Sequence, residues 1–458
     1  MSLLTDVFPE IYRYRAQDAG RVRLISGLAA ALALCGATGY SIGRTGGSWR
    51  DYLSAITYMQ FNMLVFYGTL CAAKSITQEK ADRTWDFQRL TPLSSFEITA
   101  GKFLGAPVYA WFLFACLLPA AVLALLLGPG IAADFFNRYA LGLSIALLSM
   151  AVGLLASAYD DTGGSGMGYL SGPLVGLAGI TALNASFRYA DTLTQPASAL
   201  YRYAAARPEP GVLEFYGLRL SPDWCVVFAA VSCLVFAAWA FLGAKCRVGG
   251  DLLERRRAWR LPAFLVFLAL YIAGFEYGPA RGGTPPLTSL LLPVLAACMA
   301  AFLSGERREY WRRWLEGENP ARRLDDTPSW IKGAAAVSAI AAVLYLTCGL
   351  GELGAKPFTR LYFILPLFLL RDLMFLQWCR FSAARRPEMM ALACLALAYA
   401  LPAIILGPTG MHRALSAFLP YAQAEIGAGA NLAGPLAQVL LMGYVLSRKI
   451  RTVLTEEV

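Results

Sequence analysis

Charged side chains are scarce in this 458-residue chain, at 15% of all residues, against about a quarter in ordinary soluble domains. Histidine is scarcer still. His412 is the single one, with no ligand partner at metal spacing, and the ten cysteines are scattered through mostly apolar runs without a CxxC pair. Zinc and redox sites need such clusters, so a metal centre and thiol chemistry are not expected, and the cysteines read as structural thiols. A phosphate-binding loop is missing too. GTLCAAKS at 68–75 comes near one, but Ala73 stands in place of the second glycine that lets backbone amides wrap phosphate. No polar stretch exceeds about 40 residues, short of the ~100 of a usual domain. A nucleotide-hydrolysing domain therefore has no room in this chain.

What is present is oil. Hydrophobic residues make up 57% of the chain, and apolar runs near the ~20 residues that cross a bilayer as a helix recur along its length. They fall at 22–43, 52–73, 103–127, 139–158, 169–184, 224–243, 261–277, 287–303, 333–350, 361–380, 389–407 and 432–447. The runs are continuous and rich in Leu and Ala, so twelve helices are expected rather than barrel strands, which alternate apolar and polar residues. The fold class is all-α, a polytopic membrane protein.

With twelve spans and both termini on one side, 28 of the 40 Lys and Arg residues fall on that side and 11 on the other. Arg371 lies inside a span. The excess assigns both termini to the cytoplasm, and the net charge of +10 reads as attraction to the inner leaflet of the lipid bilayer rather than to nucleic acid. LALC at 32–35 resembles a lipoprotein cleavage site only faintly, because Leu34 sits where a small residue is needed.

The chain states one plan twice. In residues 1–250 a short amphipathic opening, DVFPEIYRYR, precedes two spans, a charged insert at 74–102, three spans, a long outer segment at 185–222 and a sixth span. Residues 251–458 repeat it with the opening DLLERRRAWR, an insert at 304–330 and an outer segment at 407–431. Each half enters the membrane the same way, which makes two parallel six-helix pseudo-repeats. The match rests on span order and loop character.

The first insert carries the sharpest pattern. Residues 77–90 have helix-forming composition, with Ala81, Trp85 and Leu90 loosely along one side. Pro92 disfavours helix at Thr91, which ends that helix near Leu90. Ser94 with Glu97 three residues on is a capping box that restarts a helix, and Lys102 is placed to snorkel to the headgroups. A solvated loop is the plain alternative. Trp85 and Phe87 among the charges ask instead for a partner surface.

Glu79, Arg83-Thr84, Leu90, Thr91-Pro92-Leu93-Ser94, Glu97 and Gly101-Lys102 together resemble the cytoplasmic insert of the type-2 ATP-binding-cassette (ABC) membrane permeases. In that family a Glu, a Gly-Thr, a Leu, a Thr-Pro-Leu-Ser run and a Gly-Lys recur in this order; Arg83 stands where the family usually has Gly. The resemblance implies an interfacial elbow helix (residues 5–16), a coupling helix resting in a cleft of the ATPase subunit, and short re-entrant helices in 185–222. It covers 1–250 well and 251–458 mainly by architecture, where Glu306, Trp311 and Asn319-Pro320 follow in rough order.

By that resemblance the chain is the permease of an exporter in the bacterial cytoplasmic (inner) membrane, without an ATPase site or cofactor of its own. Two copies of a separate ATP-binding subunit carry ATP and Mg. The contact residues expected are Glu79, Arg83, Thr84, Trp85, Phe87, Leu90 and Pro92 in the first half and Glu306, Trp311 and Trp314 in the second.

Charges inside spans are functional candidates because hydrocarbon penalises them. Arg371 and Asp372 sit near the middle of the tenth span. Sequence neighbours point about 100° apart on a helix, so they need not pair with each other. One reading gives Arg371 to an anionic substrate; the plainer one gives it to a polar group on a neighbouring helix. Asp160-Asp161 in YDDTGGSGMG has no matching acidic motif and reads as an inter-span turn. An ATP-independent secondary transporter is the alternative function, with Asp372 and Glu276 as its few span carboxylates. A lipid-metabolising membrane enzyme lacks the His cluster or paired acidic motifs it would need.

Overall fold

A computed structural model describes residues 20–90, 93–160, 167–194, 213–251, 258–276, 287–304, 311, 314–315, 324–348, 357–382, 387–408, 411–420 and 428–455. Among these residues the chain is helical apart from one small two-stranded sheet, and it divides into two compact units. Met1–Leu213 with Arg219–Arg255 form the first, and Glu214–Leu218 with Arg256–Val458 form the second.

The first unit contains α1 (Arg21–Arg44), α2 (Trp49–Ala81), α3 (Trp85–Arg89), α4 (Ser95–Gly105), α5 (Val108–Leu127), α6 (Ala132–Tyr159), α7 (Met167–Thr194) and α8 (Pro222–Asp251). Helices α2 and α6 are its axis: α2 packs on α5, α6 and α7, and α6 packs on α7 and α8. Their contact is close because Gly142 faces the Phe61 ring, where a Cβ would come within 2.6 Å of the ring carbons. Small residues allow this approach between apolar helices. Around it Phe61, Phe114, Tyr139 and Phe187 pack edge to face with centroids 5.2–6.2 Å apart, the preferred aromatic geometry.

The second unit contains α9 (Arg260–Glu276), α10 (Thr288–Leu303), α11 (Ser329–Cys348), a 3-10 turn (Pro357–Arg360), α12 (Leu361–Arg380), α13 (Pro387–Leu406), α14 (His412–Phe418) and α15 (Ala428–Thr455). Helix α12 is the centre, packed on α10, α11, α13 and α15. Strands β1 (Leu213–Phe215) and β2 (Leu218–Leu220) are joined by Tyr216-Gly217, both at positive φ (49° and 75°), as a two-residue hairpin turn requires. In the second unit the Tyr216 N–H donates to the Gly274 carbonyl and its hydroxyl to the Leu270 carbonyl, both at 2.6 Å.

The described residues of the twelve apolar runs are almost all helical, with a break at Ala106-Pro107. Among the described residues seven helices are long and apolar enough to cross a membrane, and Gly172–Phe187, Arg260–Phe275 and Thr288–Leu303 are shorter apolar helices. This is the make-up of an all-α multi-pass membrane protein.

Three local expectations are corrected. The run 103–127 is not one helix: Ala106-Pro107 separates α4 from α5, because proline clashes with the preceding turn. The run 52–73 continues as helix to Ala81, so the insert's first helix is the end of α2, and only Trp85–Arg89 is separate. The described residues of the outer segment 185–222 hold the end of α7 and the hairpin, and the re-entrant helices expected there fall on 195–212, outside the described residues. Lys102 does not snorkel to the headgroups; it is fully buried. The openings at 5–16 and 252–257, with Pro92, Asp161 and Glu306, lie outside the described residues.

Candidate functional site

Helix α2 starts from a capping box in which the Ser48 hydroxyl accepts the Asp51 N–H and runs to Ala81, where the chain reverses. The Thr84 N–H donates to the Glu79 carbonyl at 2.9 Å, and Arg83 takes φ 58° to make the turn. That left-handed conformation is one glycine adopts freely and other residues rarely. The five-residue α3 follows, and the chain then enters α4 through the predicted capping box. The Ser94 N–H and hydroxyl both donate to a Glu97 carboxylate oxygen at 2.8 Å, and the Glu97 N–H donates to the Ser94 hydroxyl at 3.3 Å. The backbone bond from Ser94 first, and its hydroxyl second, hold the Glu97 carboxyl below the usual carboxylate range.

Beneath α3 lies a polar joint. Glu79 on α2 forms an ion pair with Lys102 on α4, and its other carboxylate oxygen accepts the Gln88 amide from α3 at 3.0 Å. The Lys102 ammonium also stands 5.6 Å from the centre of the Trp85 ring, a cation–π distance. Trp85 is 6% exposed and Lys102 0%. Facing outward are Phe87, 72% exposed, and Leu90, 83% exposed, with Arg83 and Thr84 on the surface beside them. Trp85 and Leu90 do not share a side, since Trp85 turns in and Leu90 out. At the root of the joint the Lys80 ammonium donates to the carbonyls of Ala158 (3.1 Å) and Asp160 (2.9 Å), closing the end of α6 as lysines do at helix C-termini.

In the second unit Trp311 is 4% exposed. Its ring lies 5.5 Å from Trp314, 6.0 Å from Phe381 and 6.3 Å from Trp330, centroid to centroid. Beside this cluster the Arg380 guanidinium donates to the Ala301 and Phe302 carbonyls at 2.8 and 2.9 Å, the last carbonyls of α10.

Arg371 and Asp372 do pair. The guanidinium reaches the Asp372 carboxylate at 2.6–2.8 Å and donates to the Gln438 side chain on α15 at 2.6 Å. The Tyr399 hydroxyl on α13 donates to the other Asp372 oxygen at 2.5 Å, and Gln438 donates to the Ala417 carbonyl on α14 at 2.8 Å. Arg371 also lies over the Phe368 and Tyr399 rings, at 4.6 and 5.0 Å. The long arginine side chain closes the angle that adjacent helical positions open. Four helices are thereby tied through one neutral pair.

Two participants escaped the sequence reading. Lys102 was given to the headgroups and Gln88 was not singled out; nothing local announces that one carboxylate, 23 residues before Lys102 and nine before Gln88, will receive both. Arg138, just outside the apolar run 139–158, lies inside α6 and is buried, donating to the Ser54 and Thr57 hydroxyls at 2.9 and 3.4 Å. Its guanidinium packs over Tyr58 and Phe187, at 5.5 and 5.2 Å. The signal was the spacing of Ser54, Thr57 and Gln60 on one face of an apolar helix. Residues 68–75 are continuous helix within α2, whereas a phosphate-binding loop needs open backbone amides. Among the described residues no group of three or more His, Cys, Asp or Glu is placed to hold a metal.

Comparison with models of known families, with curated proteins and with solved structures finds no match to this chain.

Proposed function

We propose that this chain is the membrane-spanning permease of an ATP-driven ABC exporter, with two six-span halves in one polypeptide. Twelve helices cross the bacterial cytoplasmic membrane with both termini inside, and two copies of a separate ATP-binding subunit bind from below. ATP and Mg belong to those subunits; their closure pushes the inserts and tilts the spans to open a path outward.

The observation that carries this reading is α3, a five-residue helix braced from beneath by Trp85, Gln88, Glu79 and Lys102 while Phe87 and Leu90 stand bare above it. Exposed apolar side chains on a rigid polar base are what a protein partner's cleft takes. The left-handed Arg83, where the resembling family carries Gly, adds support. On this reading Phe87, Leu90, Arg83 and Thr84 touch the partner, and Glu79 and Trp85 hold them up.

Affinity purification of the chain from native membranes in mild detergent, with mass spectrometry, tests the proposal. The expected companion is an ATP-binding-cassette ATPase that is lost from the Phe87→Asp/Leu90→Asp variant. A chain that emerges alone, and stays alone under cross-linking, overturns it and moves the test to ion-gradient-driven transport with Asp372 as the first position to substitute.

A further inference from the structure

Five residues do not make a stable helix. Isolated helices shorter than about 12–15 residues are marginal in water, so the shape of α3 is imposed by what lies under it. Its Trp85 is tucked inward and its Gln88 amide ends on Glu79. Glu79 is thus shared: one carboxylate oxygen accepts from α3, the other from Lys102 on α4, and the residue belongs to the last turns of α2. The same residue's backbone carbonyl accepts the Thr84 N–H and, at 3.3 Å, the Thr84 hydroxyl. Three helices meet on one side chain. A fully buried ammonium is tolerated only with such a partner, and removing one member leaves an uncompensated charge.

We infer that Glu79, through its pair with Lys102, is the positioning residue of the α3 docking helix. The pair fixes α3 before any partner arrives, and it delivers a displacement of α3 to α2 and α4 together. A contact on Phe87 or Leu90 alone would rock a loose five-residue helix. With Glu79 engaged, the same contact moves the end of α2 and the start of α4, which leads through Pro107 into α5. A contiguous network of this kind is how coupling reaches distant helices. The inference rests on the docking role proposed for α3, but the preorganisation it describes belongs to the chain alone.

Hydrogen exchange of the full-length chain in detergent micelles tests it, read peptide by peptide. In the unaltered protein the amides of 84–90 exchange slowly. In Lys102→Met they exchange faster by about tenfold or more, while α5, α6 and α8 keep their protection. Gln88→Ala, which leaves the ion pair intact and cuts only the arm to α3, gives a smaller rise in the same segment and serves where Lys102→Met does not fold. Unchanged exchange at 84–90 in both variants overturns the inference. So does a rise spread evenly over the first unit, which marks a merely structural pair. Copurification of an ATPase with the unaltered chain is scored separately. Slow exchange at 84–90 that both variants release, without any ATPase, sustains the positioning role and removes the docking reading. An ATPase retained with unchanged exchange does the reverse.

Discussion

The two units close the ends of their inserts with different chemistry. In the first, a carboxylate and a buried ammonium hold α2, α3 and α4 together. In the second, Trp311 packs among Trp314, Trp330 and Phe381 while Arg380 caps the end of α10. A charged joint is directional and all-or-none, because its members lose far more by separation than by a small shift. An aromatic joint is graded, since its strength follows the area kept in contact. If the inserts are pushed as proposed, the joint at Glu79 would transmit the push and the one at Trp311 would yield around it.

The comparison breaks hardest at Lys102. Lys102→Met takes the ammonium from Glu79 and should destabilise the joint of α2, α3 and α4 by about 3–5 kcal/mol, whereas Glu79→Leu/Lys102→Met should recover most of that loss; hydrogen exchange across 79–102 in both variants decides. A loss in the double variant as large as in the single one would remove the charged joint from the argument. Trp311→Ala should cost the second unit about 3 kcal/mol, and Trp311→Phe clearly less. Equal losses from Ala and Phe would mean that the joint there is not graded. Smaller is Arg83→Gly, which relieves a left-handed residue and should raise stability by up to about 1 kcal/mol; a lower melting temperature would show that the Arg83 side chain makes a contact worth more than the strain.

Ser94→Ala should cost about 1 kcal/mol of helix capping. The effect depends on pH with a definite sign. Glu97 has its folded pKa held below the usual glutamate value, so its contribution is present above the usual glutamate pKa, roughly 4.3, and is lost as pH falls through the lowered folded value. Melting curves from pH 6 down to pH 3 should show the unaltered protein losing more stability than Glu97→Gln, and parallel curves would refute it.

Much of this architecture is legible from periodicity alone. Helix needs only a continuous apolar run, and the described residues of the runs are helical apart from the break at Ala106-Pro107, with ends set by local signals such as Ser48, Ser94 and Pro107. Of Trp85 and Phe87, the two aromatics that stand among charges in the insert, Phe87 is exposed and Trp85 buried, so that pattern alone could not tell an outward ring from an inward one. What could not be read is the inward turn of basic residues beside apolar runs. Lys102 looks like a headgroup anchor, and Arg138 like a charge at the edge of a span, until a carboxylate from another helix, or hydroxyls and ring faces across the bundle, provide an interior place for them. Trp311 was given to the partner contact by the resemblance, and its ring lies against Trp314, Trp330 and Phe381 of its own unit. The hairpin at 213–220 hid in a long polar segment; only Tyr216-Gly217 could have marked it.

Helix α2 has 33 residues, which at about 1.5 Å each makes a rod of about 50 Å. A bilayer's hydrocarbon is about 30 Å thick, and with its headgroups about 40–45 Å. In the proposed twelve-helix arrangement α2 outruns the hydrocarbon by about 20 Å, and that surplus length would carry α3, with Phe87 and Leu90, beyond the reach of the acyl chains.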